Sequence, residues 1–225
     1  MDDSGYANRP AFVLALDGVS KVFGTTVALW NVDFSVRRGE AIGVLGGNGS
    51  GKSTLLRVLA GLAAPDAGTR RCTSADTGSE VRVSLLGHAS HLFDELTVAE
   101  NIALGARGPF RDRGRRLVLL DALGLDVERN RRVAGLSAGT RRRAGLARAL
   151  ATDPDVLLVD EPFTMLDEAH AASVRAVLAD VAGGGLALVV AAHGADGLRR
   201  LCPRTVHLAA GHVVEQPSGA PRVPA

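Results

Sequence analysis

Apolar and polar positions along the chain fall into two alternating rhythms. Phe12–Leu16 and Asn31–Val36 alternate with period two and predict short strands, with Thr25–Trp30 a further candidate. Ala41–Leu45, Val81–Leu86, Val156–Val159 and Leu186–Ala191 are unbroken apolar runs, the pattern of strands buried on both faces. Between them the period lengthens. Ser53–Leu62 places Leu55, Leu56, Leu59 and Leu62 at helical spacing. Buried strands separated by helices predict an α/β fold, a mostly parallel sheet covered on both faces.

The stretch from about Leu92 to Ala134 has a different texture, with apolar residues at helical spacing among many arginines. It predicts a helical subdomain inserted into the α/β core. The division expected is a tail over 1–10, a core over 11–91 and 146–215, a helical subdomain over 92–145 and a tail over 216–225. Both tails are rich in Pro, Gly, Ser or charge.

Composition narrows the function classes. A chain of 225 residues is long enough for one α/β domain with an inserted subdomain, and a formal net charge of +2 excludes a polybasic or polyacidic binding tail. The arginine-rich stretches Arg111–Arg116 and Arg129–Arg143 are interrupted by acids and lack interleaved aromatics. They read as a solvated helical face, with a lipid-facing surface as the other reading, and no nucleic-acid partner is expected. The two cysteines, Cys72 and Cys202, form neither a zinc spacing nor a disulfide framework and suit a reducing compartment. The start Met1-Asp2-Asp3-Ser4-Gly5 is acidic, unlike a secretory leader, and the longest apolar stretch, Leu186–Ala192, is too short to span a bilayer. Any membrane connection is therefore expected to come through a partner.

Gly46-Gly47-Asn48-Gly49-Ser50-Gly51-Lys52-Ser53 matches G-x-x-x-x-G-K-[ST] at every required position, after an apolar strand and before a helix. Glycines let consecutive backbone N–H groups turn toward phosphates, and the helix adds the positive end of its dipole. Lysine occurs only at positions 21 and 52, so position 52 is one where lysine itself is called for. Lys52 is placed to meet the β- and γ-phosphates of a nucleoside triphosphate, Ser53 to ligate Mg²⁺ and Thr54 to add a phosphate contact. Val156–Val159 runs into Asp160-Glu161-Pro162. A carboxylate pair at a strand end opens on the ligand crevice of such a sheet. Asp160 suits Mg²⁺ through its water shell, and Glu161 suits polarising the attacking water.

Leu136-Ser137-Ala138-Gly139-Thr140, followed by a helical pattern through Leu150, resembles the signature motif of ATP-binding cassette (ABC) proteins, usually written LSGGQ. The order of motifs matches that family: phosphate loop, signature, acidic strand, Met165-Leu166-Asp167 as the D-loop, and His193 after the last apolar run. The resemblance covers about Phe12 to Val214. It implies a P-loop NTPase (RecA-like) core with an N-terminal antiparallel β subdomain and an inserted ABC α-helical subdomain. It also implies that ATP and Mg²⁺ bind and that two subunits sandwich each ATP head to tail. Ser137 and Gly139 would then face a nucleotide on the other subunit, and Asp167 would cross-link the two sites. The same resemblance gives His193 the γ-phosphate, with Glu161, His193 and Lys52 as the catalytic set, and gives Phe23 stacking on adenine. Ser137 also reads as a plain helix N-cap, and the two roles are compatible. The family usually has a glutamine after the second buried strand. Counting back from Leu96-Thr97-Val98-Ala99-Glu100-Asn101 puts His88 there, which can reach Mg²⁺ or its water as donor or acceptor. The resemblance also implies that a cytoplasmic helix of a membrane permease docks around His88–Glu100, where Leu92 and Phe93 offer an apolar anchor beside His88.

The resemblance further implies a separate transmembrane permease as partner, a second copy or a paralogous subunit, and a cytoplasmic location on the inner face of the membrane. Gly87-His88, Leu136–Gly139 and Asp160–Thr164 look like the ATP-binding subunits of haem exporters of cytochrome c maturation, with a drug or lipid exporter as close alternative. The competing reading is a soluble, non-transport ABC ATPase of translation or DNA repair. The tandem cassettes or long coiled-coil insertions of those classes are not present here. A P-loop kinase or small GTPase would leave Leu136–Thr140 and His193 unexplained.

Overall fold

The computed structural model describes residues 12–72, 81–195, 197, 198 and 200–215. The expected tails, 1–10 and 216–225, lie outside the described residues. The chain runs β1 (Phe12–Phe23), β2 (Thr26–Arg37), β3 (Ala41–Leu45), α1 (Lys52–Leu59), β4 (Ala67–Cys72), β5 (Val83–Leu86), α2 (Val98–Gly105) and α3 (Arg113–Ala122). It continues with α4 (Ala138–Ala151), β6 (Val156–Asp160), α5 (Glu168–Gly183), β7 (Ala187–Ala192), β8 (Arg204–Ala209) and β9 (His212–Glu215).

Two sheets result. An antiparallel sheet has the order β2-β1-β4, and a second sheet has the order β5-β6-β7-β3-β8-β9, parallel except for its β9 edge. The unbroken apolar runs feed both faces of the second sheet. Leu157 and Val159 of β6, and Leu188 and Val190 of β7, join the core beneath α4 and α5. Their alternates Val156, Leu158, Val189 and Ala191 join the core shared with α1, β1 and β2. No polar alternation remains because neither face meets water, as expected of a covered parallel sheet.

Several expected boundaries shift. Phe12–Leu16 is the first part of a twelve-residue strand, and Thr25–Trp30 with Asn31–Val36 forms one strand. Asn31 adopts φ 47°, so a left-handed residue interrupts the alternation without ending the pairing. Helix α1 stops at Leu59, and Leu62 is 72% exposed rather than part of the buried stripe. Strand β5 is the sheet edge, so only Leu86 of its four residues is fully buried. The expected boundary at residue 145 falls inside α4, which runs unbroken from the signature segment into the core. Leu119, Leu120, Leu123 and Leu125 pack into the same core as Val159 and Val190, so helical part and sheet share one apolar interior. Among the described residues, no helix is long and apolar enough to cross a membrane.

Candidate functional site

The phosphate-loop residues link the end of β3 to α1. No side chain caps α1, whose N-cap Gly51 has φ 107°, a conformation that favours glycine. A Cβ there would also lie 2.5 Å from the Ala28 carbonyl of β2. The first amides of such an uncapped helix have no intrahelical acceptor and are available to an anion. Lys52 is buried at 6% exposure, its Nζ donating to Gly46 O at 2.7 Å and Gly47 O at 3.0 Å. Ser50 is also buried, with a hydroxyl that has no hydrogen-bond partner.

Strand β6 brings its carboxylates to the same place. Ser53 Oγ donates to Asp160 Oδ2 at 2.6 Å, so hydroxyl and carboxylate already share one position. Glu161 has φ 52°, uncommon for a residue with a Cβ, and its N–H donates to Ala191 O of β7 at 2.8 Å. This turn re-aims the side chain where the strand ends. Glu161 Oε1 lies 3.3 Å from His193 Nε2 and 4.0 Å from Lys52 Nζ, yet it is buried and in hydrogen-bond geometry with neither. A buried carboxylate oxygen without a donor is costly and calls for one, such as a water. Lys52, Ser53, Asp160, Glu161 and His193 thus form one cluster. The Ser53 hydroxyl and the Asp160 carboxylate suit Mg²⁺ completed by water and phosphate oxygens. No group of three or more His, Cys, Asp or Glu side chains alone could hold a metal among the described residues.

The signature segment is joined to this cluster through the D-loop. Ser137 caps α4, accepting from Thr140 N at 3.1 Å. A Cβ on Gly139 would lie 2.7 Å from Met165 O, so glycine is what lets the signature turn pack on the Met165-Leu166 backbone. Met165 itself has φ 63°. Asp167 caps α5: its carboxylate accepts from His170 N at 2.8 Å and meets His170 Nδ1 at 2.7 Å. The backbone bond, then the imidazole, hold its pKa below the usual 3.8. Phe23 is 49% exposed at the tip of β1, with Lys21 Nζ 5.3 Å from its ring centroid, so it is not a core residue. His88 is exposed and lines an open cavity of ≈ 360 Å³ with Glu161, Ala138, Met165 and Arg142.

The structure corrects the reading of the arginine run as one solvated face. Arg143 is 5% exposed and donates to Leu123 O at 2.6 Å and Gly124 O at 2.7 Å, pinning the end of α3. Arg142 is half-buried and donates to Gly87 O. Arg141 is half-buried and paired with Asp94 at 2.6 Å, whereas Arg111, Arg113, Arg115, Arg129, Arg131 and Arg132 keep the expected exposed character. Asn101 was not singled out by its chemistry, yet it is fully buried. Its side chain accepts from Phe93 N at 2.8 Å and donates toward the Phe93, Leu96 and Thr97 carbonyls. The helical stripe Val98, Asn101, Ile102 was the available signal. Phe93 remains 48% exposed, under the Arg148 guanidinium at 5.1 Å, whereas Leu92 packs on the core.

A family profile described as ABC transporter matches residues 29–164. The chain belongs to the ABC transporter family. It is 42% identical over 204 residues to the molybdenum import ATP-binding protein ModC of Mycobacterium tuberculosis, covering 82% of this chain and 55% of ModC. It is 36% identical over 218 residues to the methionine import ATP-binding protein MetN of Brucella abortus, covering 91% of this chain and 59% of MetN. The chain thus spans little more than half the length of these relatives. Among solved structures, the dimeric ATP-binding cassette MJ0796 in a post-hydrolysis state bound to ADP and Pi superposes with a TM-score of 0.80 at 27% identity. That match covers 92% of this chain and 100% of MJ0796. ModC and MetN are named as import proteins, and neither supports the expected resemblance to haem exporters.

Proposed function

We propose that this cassette binds and hydrolyses ATP with Mg²⁺, dimerises around two ATP, and drives a separate transmembrane permease from the cytoplasmic face of the membrane. The observation that carries this reading is the convergence of Lys52, Ser53, Asp160, Glu161 and His193 at the ends of β3, β6 and β7. Lys52 leaves the Gly46 and Gly47 carbonyls for the β- and γ-phosphates. The amides of residues 46–54 surround the phosphate chain, and Phe23, already exposed, offers its face to the adenine. Ser53 and Asp160 would hold Mg²⁺, with His88 within reach of it or of a water, and the ion would supply neutralisation of phosphate charge. Glu161 Oε1 accepts a proton from the attacking water as the water oxygen bonds to the γ-phosphorus and ADP leaves. His193 approaches the γ-phosphate while keeping Glu161 aligned. Ser137 and Gly139 close over the nucleotide of a second subunit, and Asp167 reaches across the dimer.

Uptake is the direction supported by the molybdenum and methionine import relatives. The haem, drug and lipid export readings have no support among them, and neither does a non-transport ATPase. Lys52→Ala tests the site: it should abolish both ATP binding and turnover. Ser137→Arg should retain ATP binding but lose the ATP-dependent dimer in light scattering. A Lys52→Ala protein that binds ATP as well as the wild type would overturn the proposal.

A further inference from the structure

The segment after β5 carries His88, yet its own backbone holds it poorly. Among the described residues, 88–91 make no backbone–backbone hydrogen bond. Helix α4 holds it instead, with three residues spaced three apart on one face. Arg142 Nη1 donates to Gly87 O and, more weakly, toward His88 O at 3.4 Å. Gly145 leaves room for Ser90, whose Cβ would be 3.0 Å from a Cβ at that position. Arg148 Nη1 donates to His91 O. Arg142 stands apart because its Nε and Nη2 are buried without a hydrogen-bond partner. It lines the same cavity as His88 and Glu161, whose Oε1 is also unpartnered. Burial pulls the guanidinium below its usual pKa range, and Asp160 and Glu161 act in the opposite direction. An arginine stays charged in this setting. A buried cation with spare donors is retained at a cost, and here the side chain bridges the signature helix to the segment of His88, which stands where the family usually has a glutamine.

We infer that Arg142 is a positioning residue that locks the His88 segment onto the signature helix, so that movement of α4 is carried directly to His88 beside Glu161. The inference rests on the proposed function for its consequence in turnover, but the tether itself is readable without ATP. The fork geometry of a guanidinium matters here, since Nη1 serves the segment while Nε and Nη2 stay buried without a partner.

The experiment uses the full chain. Arg142→Met keeps the aliphatic stem and removes every donor, and Arg142→Lys restores one. Backbone ¹⁵N relaxation without nucleotide should show the order parameters of residues 87–91 falling in R142M from the rigid range of about 0.85 to below about 0.6. Order parameters in β6 and β7 should be unchanged, and R142K should fall between R142M and wild type. Wild-type order parameters for 87–91 in R142M would overturn the inference. In steady-state hydrolysis, R142M should lower kcat roughly 10–100-fold, as expected for a misplaced site group, with nucleotide affinity unchanged. In an H88A background the same change should cost less than about 2-fold, because the two residues act as one unit. Equal losses in both backgrounds would overturn the inference. A wild type that binds ATP without hydrolysing it would instead overturn the proposed function, and the order parameters alone would then decide on the tether.

Discussion

Phe93→Asp separates surface from core beside His88. The ring is 48% exposed, so about half of its burial is at stake, roughly 1 kcal/mol of the 1.5–3 for a fully buried Phe. Loss of the Arg148 contact over the ring adds about 0.5–1 kcal/mol. An aspartate facing Arg148 returns a few tenths of a kcal/mol as an exposed pair. The Phe93 N–H and carbonyl stay bonded to Asn101, since those contacts belong to the backbone. The net cost is about 1–2 kcal/mol, which lowers Tm by roughly 2–8 °C in a chain of this length. The variant should fold and hydrolyse ATP near the wild-type rate, but fail to co-purify with the permease. A fall in Tm beyond about 15 °C would refute the exposure argument. Undiminished co-purification of a folded variant would refute docking at Phe93.

Gly139→Val should destabilise by about 1–3 kcal/mol, because its Cβ meets the Met165 carbonyl at 2.7 Å and that backbone must move; urea denaturation measures it. Asn101→Leu should cost roughly 1–3 kcal/mol by leaving the Phe93 N–H without its buried acceptor, while the Phe93, Leu96 and Thr97 carbonyls keep their backbone donors, read from the same titration. The depressed pKa of Asp167 makes its cap complete above the usual 3.8 and lost as pH falls below that value. Asp167→Asn should therefore flatten the acid limb of stability against pH, and an unchanged limb would contradict the cap.

The residues themselves show how far the sequence reached. The unbroken runs of β3, β6 and β7 were legible because each feeds two cores and carries no polar residue until Asp160. Strand β4 was not, because Ala-Gly-Thr-Arg-Arg-Cys is largely exposed at the edge of the antiparallel sheet. Strands β8 and β9 were also missed: Arg204 and His207 interrupt the apolar pattern of the first, and β9 is a four-residue edge. The phosphate-loop and acidic-strand residues were legible because their spacing encodes a backbone shape, and the structure places Ser53 against Asp160. The roles of Arg142 and Arg143 were hidden by composition. In an arginine-rich helix, two guanidinium groups turned inward look like their solvated neighbours. Helical period alone pointed to Arg143, which shares a stripe with Thr140, Ala144 and Ala147. The link between Gly139 and Met165 depends on a left-handed residue that no local pattern announces.

In the proposed mechanism Glu161, with its unpartnered oxygen beside Lys52 and His193, polarises the water that cleaves ATP. Phosphate release by wild type and Glu161→Gln, each at saturating ATP and Mg²⁺ with ATP binding measured on the same samples, tests it most directly. The account predicts unchanged binding and a rate lower by roughly 10²–10⁴-fold in the variant, the span attributed to general base catalysis. Equal phosphate release from the two proteins would contradict it.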